Sequence, residues 1–174
     1  MNVTKSGAAH RQLNFAIELL FHDADSVATH TLAGAASNLF SDLVENKCPD
    51  KSWDRMAQED NNLNSAQFFT ILRKAQNFLK HASRETDAEL EFEPAETEDL
   101  LFFAVMNAGE LGKLTIPESL FQLWYLAAKA EILGSDYPFV AEALSLFPDL
   151  PSLERPQRLE IGRLKLNEAL SNAL

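Results

Sequence analysis

Arg73, Asn77 and His81 stand four residues apart, a spacing that returns to one face of an α-helix. Histidine gives or takes a proton near neutral pH. Asparagine can orient it or hold a substrate, and arginine can grip a phosphate through two parallel hydrogen bonds. The competing role for the same stripe is a solvated helix face, with His81 near a C-terminus where the dipole favours its charged form. His30, next to Thr31, is the second candidate proton carrier, and its competing role is a hydrogen-bonded histidine between packed helices. Glu18 and His22 lie one turn apart, followed by Asp23 and Asp25, and such a pair can share a metal. No CxxC, HxxxH, HExxH or Glu-x-x-His pattern accompanies them, so the expectation is an exposed helix end, with no metal and no cofactor. GxGxxG, Walker and GxSxG signatures are also missing.

These side chains need helices to hold them. The apolar period is helical almost throughout, and only 6 glycines and 7 prolines punctuate the chain. The first helix is expected over 11–22, with Leu13, Ala16, Ile17 and Leu20 inward. Asp25 or Ser26 caps a second over 27–45. Its main apolar face is Ala28, Leu32, Ala35, Ala36, Leu39 and Leu43, while His30, Gly34, Ser37 and Ser41 form a face of small residues that lets another backbone pack closely or leaves room for a ligand, close packing being the expectation. Residues 47–63 form a polar connection with an amphipathic turn around Trp53 and Met56. The third helix, over 66–82, carries the candidate stripe opposite a core face of Phe68, Ile71, Leu72, Ala75, Phe78 and Leu79.

The stretch 84–99 holds eight acids and one base and reads as a solvated loop leading into a fourth helix over 96–112. Thr115, Pro117 and Glu118 spell a capping box with proline in the first turn of the fifth helix, which Gly134 ends. A short helix lies within 135–147, and a last amphipathic one over 156–173. Phe68, Phe69, Phe78, Phe102 and Phe103 read as core rather than base-stacking platforms.

The 174 residues fit one domain, 1–174, that needs no disulfide to build a core. Cys48 is the only cysteine and reads as a loop or small-core residue. A formal charge of −11 works against adhesion to nucleic-acid backbones or anionic lipid, though it leaves room for a locally basic site. No apolar run is long enough for a transmembrane helix, and residues 1–11 lack a signal-type apolar core. The expected location is the cytoplasm, with no membrane partner.

Residues 76–81, Gln-Asn-Phe-Leu-Lys-His, resemble the Arg-Asn-x-x-x-His motif of HEPN domains. That resemblance implies an all-α bundle with an up-down core, a homodimer, and either nucleotide binding or metal-independent RNA cleavage. The motif's asparagine falls on Asn77 and its histidine on His81. Its arginine falls on Gln76, and Arg73, one turn earlier, is the available substitute. The segments 25–32 and 77–82 also resemble a bacterial all-α family, which implies no particular activity. The expected fold is a bundle of five to seven helices. Two functions follow: a non-catalytic interaction or dimerisation module with structural histidines, or a HEPN-like protein that acts on RNA or nucleotides. In the latter His81 is the acid or base, Asn77 orients it, Arg73 binds phosphate, and His30 is a second proton carrier.

Overall fold

The computed structural model describes residues 2–81 and 86–173. Over these residues the chain is all-α: ten α-helices and two single 3₁₀ turns, with no strand. Five helices are long: α1 (Lys5–Phe21), α2 (Ser26–Lys47), α6 (Ala95–Leu111), α7 (Ile116–Ala128) and α10 (Arg155–Ser171). Five are short: α3 (Trp53–Asp60), α4 (Ser65–Leu72), α5 (Lys74–Lys80), α8 (Ala130–Leu133) and α9 (Val140–Leu146). The count exceeds the sequence expectation because two expected helices break, at Arg73 and at Lys129, and because α3 forms inside the polar connection.

The starts follow local chemistry. Thr4 Oγ1 accepts the Gly7 N–H at 3.0 Å, which lets α1 begin before the first apolar stripe residue. Asp25 Oδ1 accepts the Ala28 N–H at 2.8 Å and starts α2. At α7 the capping box closes in both directions between Thr115 and Glu118.

The centre is α2, packed between α1 and α6. Its buried seam is His30, Ala33, Gly34, Ser37, Phe40, Ser41 and Val44. This corrects the expected apolar face: Ala36 is buried, but Leu32, Ala35, Leu39 and Leu43 are only half-buried and Ala28 is exposed. The small residues win the inside because two long helices and the Gln76 side chain must all approach α2 closely. A Cβ at Gly34 would sit 2.5 Å from Gln76 Cδ. Beyond α1, a second part of the same core gathers Phe21, Phe121 and Trp124, with Phe21 edge-on to Trp124 at 5.3 Å. The Trp124 indole N–H donates to the Arg158 carbonyl at 2.8 Å, tying α7 to α10.

The expected third helix is two helices joined at Arg73, whose backbone (φ −102°, ψ 11°) leaves helical geometry. The buried face keeps one helical phase across the joint but is narrower than expected. Phe68 and Ala75 are buried and Leu72 and Leu79 half-buried, but Ile71 is 66% exposed and Phe78 40% exposed. Among the described residues no helix is long and apolar enough to cross a membrane.

Candidate functional site

The bend also separates the stripe. Arg73 occupies the joint itself, Asn77 lies on α5, and His81 has extended backbone (φ −128°, ψ 110°) just past its end. Asn77 and His81 are exposed, and among the described residues their side chains make no hydrogen bond or ion pair. His30 is elsewhere, sealed at 1% exposure. Its Nδ1 meets Thr97 Oγ1 at 3.1 Å, its ring stands edge-on to Phe92 at 5.0 Å, and its Nε2 is buried without a partner. Burial pushes its pKa down to about 4, so it is a neutral imidazole at physiological pH. No hydrogen bond joins it to the other three residues. Gln76 is buried against Gly34, and its Oε1 accepts from Asn38 Nδ2 at 3.3 Å. At Glu18 and His22 no metal set forms: among the described residues no three His, Cys, Asp or Glu side chains gather as one.

Arg73 opens a different site. Its guanidinium lies 3.9 Å over the Phe69 ring centroid, an arrangement that fixes the plane of the fork. It faces a cleft of about 510 Å³ between α2, α3 and α4. Ser41 of α2 and Asp54 of α3 line the same cleft, and both are buried. Asp54 Oδ2 accepts from Asn107 Nδ2 at 3.3 Å, while Asp54 Oδ1 and Ser41 Oγ have no hydrogen bond of good geometry. Burial pushes the Asp54 carboxyl above the usual carboxylate range; the nearby Ser41 hydroxyl, the Arg73 charge and the Asn107 amide pull it part of the way back. Burial likewise lowers the Arg73 pKa, against the attraction of Asp54 and Asp42. Asp42, Glu45 and Glu59 stand around the opening, and Arg55 there is already held by Glu45 through two hydrogen bonds, Nε to Oε2 at 2.9 Å and Nη2 to Oε1.

Helix α3 owes its place to α6. The Trp53 N–H donates to Asn107 Oδ1 at 3.1 Å, the Trp53 indole donates to Glu110 Oε1 at 3.4 Å, and Lys51 pairs with Glu110 at 3.4 Å. Ser52 Oγ caps it by accepting the Arg55 N–H. The sequence marks α3 only as an amphipathic turn. The residue spacing places Ser41 only on the small-residue face of α2 and points to Asp54 not at all, because what makes them notable is burial against helices distant in the chain.

On its other side α3 forms one wall of a second concavity of about 600 Å³, shared with α6, α7 and α8. Phe102 stacks on Tyr125 with centroids 4.2 Å apart and 15° between planes. The Tyr125 hydroxyl donates to Asp99 Oδ1 at 2.7 Å, and Lys129 pairs with the same oxygen at 3.6 Å. Trp53, Met56, Phe103 and Met106 complete the wall, and Ile132 lies at the edge, 82% exposed. Comparison with family models, with curated proteins and with solved structures finds no match.

Proposed function

We propose that the chain is a non-catalytic interaction module of the cytoplasm, and that its recognition surface is the aromatic groove between α3, α6 and the α7–α8 segment. One observation carries this reading: stacked aromatics, two methionines and the exposed Ile132 line a single open concavity that the fold leaves uncovered. Open apolar concavities of this size are where partners dock. The occupant that fits is an amphipathic helical segment of another protein, presenting apolar anchors one turn apart. Asp60 on the groove, where Lys129 already pairs with Asp99, in a chain of net charge −11, favours a partner whose anchors are flanked by basic residues. A second copy of this chain, the competing occupant, brings the same acidic excess.

The test titrates a leucine–lysine model helix into the protein while following tryptophan emission, to which Trp53 on the groove contributes, beside sedimentation of the protein alone. The expected result is a monomer that binds the peptide saturably, with affinity about tenfold weaker in Ile132→Asp and in Met56→Asp and melting temperatures unchanged. No binding, or equal binding by the variants, overturns the reading. A dimer that Ile132→Asp dissociates assigns the groove to self-association.

The unspent guanidinium of Arg73 favours a second reading, a HEPN-like nucleotide-binding protein or metal-independent ribonuclease. Here Arg73 binds phosphate, Asn77 orients His81, and His81 moves the proton. RNA cleavage by the purified protein, with His81→Ala as the control, decides it; equal activity in both, or none, sinks it.

A further inference from the structure

We infer that the cleft beneath Arg73 is a binding site for a small zwitterion, a ligand that carries one carboxylate and one protonated amine, such as a free amino acid. The inference is independent of the aromatic groove, which opens on the far side of α3.

Two opposite charges face this cleft without closing on each other. Arg73 is stacked on Phe69 and makes no ion pair among the described residues, so its planar fork has donors to spare for a carboxylate. Asp54 is 3% exposed, and its Oδ1 has no hydrogen bond of good geometry, with the Ser41 hydroxyl as its near neighbour. Ser41 Oγ, buried beside it, lacks one too. A buried carboxylate served only by the Asn107 amide and a poorly aligned hydroxyl keeps lone pairs to fill, and the serine oxygen beside it can accept as well. A protonated amine supplies three donors, enough for Asp54 Oδ1 and Ser41 Oγ at once.

The surroundings set the ligand class. The cleft, at about 510 Å³, has room for an amino-acid-sized molecule. Asp42 and Glu59 at the opening repel ligands with several negative charges, and Arg55 is not free to offset them because Glu45 holds it. A nucleoside phosphate meets this repulsion and has no ammonium for Asp54. A simple amine leaves Arg73 unused, and a simple carboxylate leaves Asp54 unpaired. Only a molecule with both groups answers both sides.

The experiment is a two-dimensional amide NMR titration of the whole chain with the free L-amino acids, each at millimolar concentration, followed by calorimetry on those that bind. The expected result is saturable shifts at residues 41, 54 and 73 for at least one amino acid. Its affinity falls about tenfold or more in Arg73→Lys, which keeps the charge but loses the fork, and by a similar factor in Ser41→Ala. The matching deaminated acid and decarboxylated amine each bind more weakly than the intact amino acid. Circular dichroism melts confirm that both variants are folded; if Ser41→Ala is not, Arg73→Lys with the two analogues carries the test. No saturable shift with any amino acid, or binding unchanged in folded Arg73→Lys, overturns the inference. So does tighter binding of inorganic phosphate or adenosine monophosphate, which returns Arg73 to the nucleotide reading.

Discussion

His30 is the residue through which acid reaches the core. Above pH 6.5 it is unprotonated in both the folded and the unfolded chain. Between about 6.5 and 4 the unfolded imidazole takes a proton that the folded one, desolvated between Thr97 and Phe92, refuses. Stability therefore falls as pH drops through this window, by about 3 kcal/mol at its limit. Asp54 and Glu98, whose buried carboxyls titrate above their ordinary range, act in the opposite sense, because the folded state accepts their protons first. The informative quantity is thus the difference between the native chain and His30→Gln in urea unfolding across pH 7 to 4. The variant should lose the part of the acid-side slope that belongs to His30, and identical slopes would place that sensitivity elsewhere. Gln76 invites a second residue-scale prediction. An arginine there, as the HEPN motif has it, would put a charge into the seam over Gly34, where Gln76 is 1% exposed. Gln76→Arg should lower stability by about 3 kcal/mol in the same assay; a neutral outcome would mean that the seam opens to water.

At the scale of elements, glycines record how closely the helices approach. Gly162 of α10 lies directly beneath the Phe21 ring, and a methyl there would overlap it. Phe21 cannot yield, being packed on Phe121 and Trp124. Gly162→Ala should cost about 1–3 kcal/mol by overpacking, and Phe21→Leu in the same chain should return part of that loss in a double-mutant cycle. Gly109 of α6 is the contrast. A Cβ there meets only Leu114 side-chain atoms at ordinary distance, 3.8 Å, so Gly109→Ala should raise stability by roughly 0.5–1 kcal/mol through helix propensity. Thermal melts of the two alanine variants should move in opposite directions. The bend at Arg73 belongs to this scale as well. Arg73 stands there against the cleft, while Ile71 and Phe78 fall on the exposed flank of the narrow buried face.

For the whole molecule the governing quantity is charge. With 26 acids against 15 basic residues, the folded chain repels itself, and the acidic opening of the cleft adds to that repulsion. Added sodium chloride screens it, the Debye length falling to about 10 Å at 0.1 M. The melting temperature should rise by a few degrees between low salt and roughly 0.5 M, measured by calorimetry. A fall would show that ion pairs such as Arg155 with Glu98, at 2.8 Å, outweigh the general repulsion.

The all-α class, the capped start of α7 and the Asp25 cap were legible in the sequence, because each rests on neighbours within one or two turns. Thr115 and Glu118 find each other whatever the rest of the chain does. The side of α2 that faces inward was not legible, since two helices far apart in sequence choose it. The core role expected of Ile71 and Phe78 failed because the rest of the fold covers only the narrow stripe of Phe68, Leu72, Ala75 and Leu79, a width that no local pattern announces. The stripe of Arg73, Asn77 and His81 was written as a helical spacing, and the tertiary structure divided it: Arg73 went to a cleft with Ser41 and Asp54, and His81 to an exposed end. Spacing fixes which residues share a face only while the helix continues, whereas burial and the meeting of charges depend on contacts between segments that the chain brings together only on folding.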